Sequence, residues 1–171
     1  MHVVFEGQIK EWTANPPVTK FGYTAHRETI RTRDDYFTDI KIYLPSTLVT
    51  PTANLRLLFV IYGGGWTIGN HHAEEMLLLR PSMQNFDFCI ISVNYRLAPE
   101  PFFPSPLDDY CDALNWAVDL AERFSFDAEC VLLAGSSSGA NLAAALSHMA
   151  RDTGSPNISE LSLNILIVGH P

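Results

Sequence analysis

The sequence has little cysteine, little positive charge and no long apolar run. Its three cysteines, Cys89, Cys111 and Cys130, each stand alone in an apolar stretch. That spacing fits neither a disulfide framework nor a metal site, and it predicts buried free thiols. Eleven Lys and Arg stand against 19 Asp and Glu, a formal net charge of −8, and nowhere do the basic residues gather into a patch. A chain of this kind repels polyphosphate, which excludes nucleic acid as a partner. No apolar run approaches the ~20 residues that span a bilayer. Met1-His2-Val3-Val4-Phe5-Glu6 lacks the charged start and apolar core of a secretion signal. These absences predict a cytoplasmic protein without a membrane span. His2, His26, His71 and His72 show no metal-ligand spacing, and His71-His72 reads as an exposed pair on a loop before a helix.

What is present is a core. Apolar residues make up 47% of the chain and charged residues 18%, a globular balance, and 171 residues suit one domain better than two. Residues 24–33 and 37–44 favour strands around a turn at Asp34-Asp35, a hairpin. Residues up to about Val18 read as irregular. Then come four apolar runs: Leu55–Tyr62, Phe88–Tyr95, Cys130–Ala134 and Leu161–Val168. Strands apolar on both faces belong to parallel sheets covered on both sides. The segments between them, Ala73–Asn85, Leu107–Phe124 and Ala140–Arg151, carry helical periodicity. The pattern predicts an α/β fold with helices on both faces and an antiparallel N-terminal start.

Two motifs carry chemistry. Gly135-Ser136-Ser137-Ser138-Gly139 sits between an apolar strand and an Ala-rich helix, the setting of a G-x-S-x-G nucleophile elbow. A serine on so sharp a turn is strained and exposed, and side chains at the flanking positions would collide with nearby backbone. Tyr62-Gly63-Gly64-Gly65-Trp66 ends an earlier strand. Backbone N–H groups on such a loop can approach an oxyanion closely. Neither G-x-G-x-x-G nor G-x-x-x-x-G-K-[ST] can be read there, so a phosphate cradle is excluded.

Together with Asn94-Tyr95-Arg96-Leu97-Ala98-Pro99-Glu100, the proline-rich Phe102–Pro106 and Asp108-Asp109, these motifs resemble the hormone-sensitive-lipase-like esterases, the alpha/beta hydrolase fold-3 group. The resemblance runs from about Ile40 to the C-terminus. It implies an α/β-hydrolase fold, one incomplete domain over 1–171 with 1–36 as a cap or arm segment, and hydrolysis of a small-molecule ester. It implies Ser137 as nucleophile and the backbone N–H groups of Gly64, Gly65 and Ser138 as oxyanion donors. No metal or organic cofactor is implied. Residues 95–100 and 108–109 come over as supports without chemistry. Three positions depart from the family pattern: Tyr62 replaces a histidine, Ser136 an acidic residue and Ser138 an alanine.

A triad also needs an acid and then a histidine after the serine. After Ser137 the chain offers Asp152 and Glu160 as acids, and His148 and His170 as bases. His148, eleven residues on, lies about 16 Å away along a continuous helix. His170 has no acid after it, and the family carries a structural residue there. The chain therefore reads as truncated after Leu161–Val168, with an exposed sheet edge open to self-association. Two readings follow: a serine esterase whose acid and histidine lie elsewhere, or an inactive remnant that binds ligands or partners.

Overall fold

The computed structural model describes residues 18–20, 22–46, 54–71 and 88–165. The elements in chain order are β1 (Val18–Lys20), β2 (Tyr23–Arg31), β3 (Phe37–Pro45), β4 (Leu55–Ile61), β5 (Phe88–Val93), α1 (Ser105–Asp119), α2 (Ala121–Phe124), β6 (Phe126–Ser136), α3 (Ser138–Thr153) and β7 (Ile158–Asn164). Among the described residues the strands form one sheet in the order β1-β2-β3-β5-β4-β6-β7. The expected hairpin is β2 with β3, paired from Tyr23↔Pro45 to Arg31↔Phe37 around the turn at Asp34-Asp35. β1 adds an antiparallel strand from Val18 onward; the stretch expected to be irregular before it lies outside the described residues. β4, β5, β6 and β7 are mutually parallel, and β3 joins them antiparallel through β5.

The continuous apolar runs have a simple cause. Successive side chains of a strand point to opposite faces, and here both faces are buried. Leu57, Phe59, Ile61, Cys89, Ile91 and Val93 face one way, against Leu107, Tyr110 and Leu114 of α1 and Leu142 and Leu146 of α3. Leu58, Val60, Ile90 and Tyr43 face the other way and are also buried. Among the described residues α1, α2 and α3 all pack on the first face; the helix expected over residues 73–85 lies outside them.

Three boundaries differ from expectation. β6 begins at Phe126 instead of Cys130, because Phe126 and Asp127 already pair with β4 before the register jumps, Arg56 facing Asp127 and Leu57 facing Val131. The intervening residues bulge out of register, so Cys130 is only half-buried. Cys111 is half-buried as well, and only Cys89 is fully enclosed. Burial pushes the Cys89 thiol well above its ordinary pKa. The last strand runs Ile158–Asn164 instead of Leu161–Val168. Its first residues, Ile158 and Glu160, pair with Val131 and Leu132 despite their polar company. It ends where Ile165 turns to a φ of 53°. Most of β7 is exposed, unlike a strand covered on both faces. No helix among the described residues is long and apolar enough to cross a membrane.

Away from the C-terminal ends of the parallel strands, buried Glu28 on β2 accepts a 2.6 Å bond from Arg123 Nη2 of α2. His26 on the same strand is half-buried, and burial, then the Arg123 charge, lower its pKa below 6.5. The unfolded chain therefore takes up this proton before the folded one as pH falls. The His26 contribution to stability is complete above the unfolded value and is lost as pH drops through the folded one. Melting temperatures measured from about pH 7 to about pH 5 should fall less steeply for His26→Gln than for the parent; parallel curves would show that His26 does not carry this dependence.

Candidate active site

The loops that follow β4, β5 and β6 meet at the C-terminal ends of the parallel strands. At the end of β6, Ser137 adopts φ 53° and ψ −121°. A serine there is outside the conformations open to most side chains, a strain of order 1–3 kcal/mol that persists only where the surroundings impose it. The imposing groups are backbone. A Cβ on Gly135 would lie 2.6 Å from Gly139 C and 2.7 Å from Ala140 N. A Cβ on Gly139 would collide with the Ile61 carbonyl oxygen and stand 2.5 Å from that of Tyr62. The strand, the turn and the first turn of α3 are thus packed backbone to backbone. The Ser137 N–H donates to Asn164 O of β7 at 2.9 Å, which fixes the turn from its other side.

Serine is a favoured helix N-cap because its hydroxyl usually accepts a backbone N–H in the first turn. Ser137 is the N-cap residue of α3, yet its hydroxyl makes no capping bond. No acidic side chain sits in the first turn of α3 either, so its positive end is not neutralised from within.

The glycine loop lies directly against this turn. A Cβ on Gly63 would sit 2.6 Å from Ser136 O and 3.1 Å from Ser137 Cβ. Gly64, Gly65 and Trp66 have φ of 142°, 59° and 60°. The loop coils so tightly that a Cβ on Gly64 would strike the Ile68 carbonyl. Thr67 N and Ile68 N both donate to Gly64 O, at 3.2 and 3.0 Å. Among the described residues the N–H groups of Gly64, Gly65 and Ser138 have no hydrogen-bond acceptor. The predicted site residues Ser137, Gly64, Gly65 and Ser138 are therefore brought together.

Tyr62, at the root of the loop, is fully buried. Its hydroxyl donates to Tyr95 O at 3.3 Å and to Asn94 Oδ1 at 3.4 Å, and its ring stacks on Tyr95 at 4.4 Å. Burial, then the Tyr95 and Asp109 charges, hold this phenol well above its ordinary pKa. It remains a neutral donor. The loop folds back over the ring, with the Cβ position of Gly69 only 3.0 Å from it. The end of the loop is carried inward as well. His71, expected to be exposed, is buried; His72 lies outside the described residues.

The loop after β5 is locked by charge. Arg96 donates from its backbone N, Nε and Nη2 to Asp109, the last at 2.6 Å, and from Nη1 to Asp34 at 2.6 Å. Asp109 has no exposed surface, and the Arg96 side chain is 11% exposed. Arg33 of the hairpin turn pairs in the same way with Asp112 and Asp108 of α1. Bonds from Arg96, then Thr32, hold the Asp34 carboxyl at about 2. Ala98 N donates to Trp66 O at 2.8 Å, passing this anchorage on to the glycine loop. The sequence signals these residues only as a cluster of charges and prolines; which arginine meets which aspartate requires the fold.

His148 is exposed on α3, and Asp152, also exposed, pairs with Arg151 at 2.8 Å. Glu160 is exposed on β7. His170 lies outside the described residues. Among the described residues no group of His, Cys, Asp and Glu could hold a metal.

The sequence pattern described as alpha/beta hydrolase fold matches residues 58–170. The chain belongs to the α/β-hydrolase family, in its hormone-sensitive-lipase-like group. It is 40% identical over 127 residues to arylacetamide deacetylase of Bos taurus, covering 71% of this chain and 31% of that protein. It is 33% identical over 124 residues to carboxylesterase NlhH of Mycobacterium tuberculosis, covering 71% of this chain and 38% of the relative. Among solved structures, a bacterial heroin esterase aligns with a TM-score of 0.78 at 27% identity, over 95% of this α/β-hydrolase and 50% of the other chain. The chain thus spans about a third of the curated relatives and half of the solved one.

Because backbone atoms fill the space where a side chain would go, Gly139→Ala should lower stability by more than about 2 kcal/mol. Urea midpoints would check this, and an unchanged midpoint would show that the elbow relaxes freely. Removing Asp109 leaves a nearly buried guanidinium with only the half-exposed Asp34 as partner. Asp109→Ala should therefore cost about 3–5 kcal/mol by the same measurement.

Proposed function

We propose that this chain carries the nucleophile half of a serine hydrolase acting on carboxylic esters. Ser137 Oγ attacks the carbonyl carbon, and the N–H groups of Gly64, Gly65 and Ser138 stabilise the developing oxyanion. The positive end of α3 adds to that field. Expulsion of the alcohol leaves an acyl-serine, and water then releases the carboxylic acid. The observation that carries this reading is the Ser137 backbone, held at φ 53° with its hydroxyl spared from helix capping. Relatives named as esterases point to the same bond. A name such as arylacetamide deacetylase makes aryl amides the second substrate class to try.

Ser137 needs a base within hydrogen-bond reach to take its proton. Among the described residues none hydrogen-bonds to the Ser137 hydroxyl, and a histidine from outside them is the base this reading calls for. This supports a second reading, in which the chain binds acyl ligands without turning them over.

A fluorophosphonate probe followed by peptide mass spectrometry separates the two. Labelling at Ser137, abolished in Ser137→Ala together with a loss of p-nitrophenyl ester hydrolysis of about 10³-fold or more, is the expected result. Labelling at another residue would overturn the assignment of Ser137. Absence of both labelling and turnover would favour the binding reading.

A further inference from the structure

Three successive residues of the glycine loop, Gly64, Gly65 and Trp66, have positive φ. Two are glycines, for which this is ordinary. Trp66 is not. A bulky side chain at φ 60° is an outlier that persists only where its neighbours over-determine it. Both backbone groups of Trp66 are engaged. Its carbonyl accepts the Ala98 N–H at 2.8 Å, and its N–H donates to Ser138 Oγ at 3.4 Å. The Ser138 side chain is fully buried, so water does not compete for that bond. It is a long hydrogen bond, and it joins the glycine loop to α3.

We infer that the Ser138 hydroxyl is a positioning group for the oxyanion hole. This rests on the reading of Ser137 as nucleophile. The backbone N–H of Ser138 is one proposed oxyanion donor. Its side-chain oxygen holds Trp66, the residue next to the other two donors, Gly64 and Gly65. One side chain therefore ties the donor on the elbow to the donors on the loop. A hole works through donors fixed before charge develops, and a loop free to uncoil at Trp66 would lose that preorganisation. Alanine at this position keeps the N–H and loses the link.

The test has two arms. In the first, amide hydrogen exchange is followed by NMR on the whole 171-residue chain. The Trp66 amide of the parent should exchange at least about tenfold more slowly than that of Gly65, which has no acceptor among the described residues. Equal rates would overturn the inference without any variant. In Ser138→Ala the Trp66 amide should speed up about three- to tenfold while core amides such as Phe59 keep their protection. Ser138→Cys, close in size with a weak acceptor, should fall between.

In the second arm, phenylboronic acid reports on the hole. Ser137 Oγ bonds to boron, its proton leaves to water, and the resulting anionic tetrahedral adduct needs the donors. Its affinity should drop about three- to tenfold in Ser138→Ala, while affinity for benzoate changes less than twofold. Equal loss for both ligands would reduce Ser138 to a merely structural residue and overturn the inference. If the parent and Ser137→Ala bind the boronic acid alike, the nucleophile reading fails, and the exchange arm still decides whether Ser138 holds the loop.

Discussion

The site depends on backbone packed against backbone. The carbonyls at the end of β4 press on the first turn of α3 where Gly139 presents no side chain, and Gly135 leaves room for that same turn from the strand side. This approach fixes how far the helix can stand from the sheet. Ser137 is held in its strained conformation between these contacts and the bond from its N–H to β7. A side chain at either glycine would push the helix away and let the serine relax into an ordinary N-cap, with its hydroxyl turned to the helix amides.

Around this contact the remaining loops are held by successively more polar means. The glycine loop sits on the Tyr62 ring, whose stack with Tyr95 continues through Tyr110 at 5.0 Å to Phe59 at 6.0 Å, in the buried core. Tyr62 supplies an aromatic ring and a hydroxyl donor at the loop root, reaching the Tyr95 carbonyl at 3.3 Å. Further out, Arg96 and Arg33 tie the loop after β5 and the hairpin turn to the acidic N-terminal half of α1. Arginine suits this task because its planar fork meets two carboxylates in fixed directions at once. Aspartates in the first turns of a helix also complement its positive end.

The parallel strands place the chemistry-bearing loops on one side. β4, β5 and β6 run in the same direction, so the segments that follow them emerge together. The glycine loop and the serine turn come from strands directly paired in the sheet, Ile61 opposite Gly135. The glycine loop and the Ser137 turn, far apart in sequence, thereby become neighbours without any further device. The Trp66–Ser138 link spans that gap at its narrowest point.

Much of this was legible in the residues themselves. Continuous apolar runs marked β4 and β5 because both faces are buried, and glycine at 135 and 139 marked a turn that no side chain could enter. Helical periodicity located α1 and α3. The sequence could not show that β6 starts early through a bulge, since a register jump leaves no compositional trace. Nor could it show that β7 begins as early as Ile158, since the residues there are polar or exposed. His71 looked like loop surface because burial there comes from the loop folding back, a long-range event. The arginine–aspartate pairs were visible as charges but not as partners. Local sequence determined which segments would be strands, helices and tight turns, because those follow from periodicity and steric exclusion along the chain. Only the tertiary structure decided which donors face which acceptors across the sheet edge, because that depends on strand order and on the distance at which two backbones come to rest.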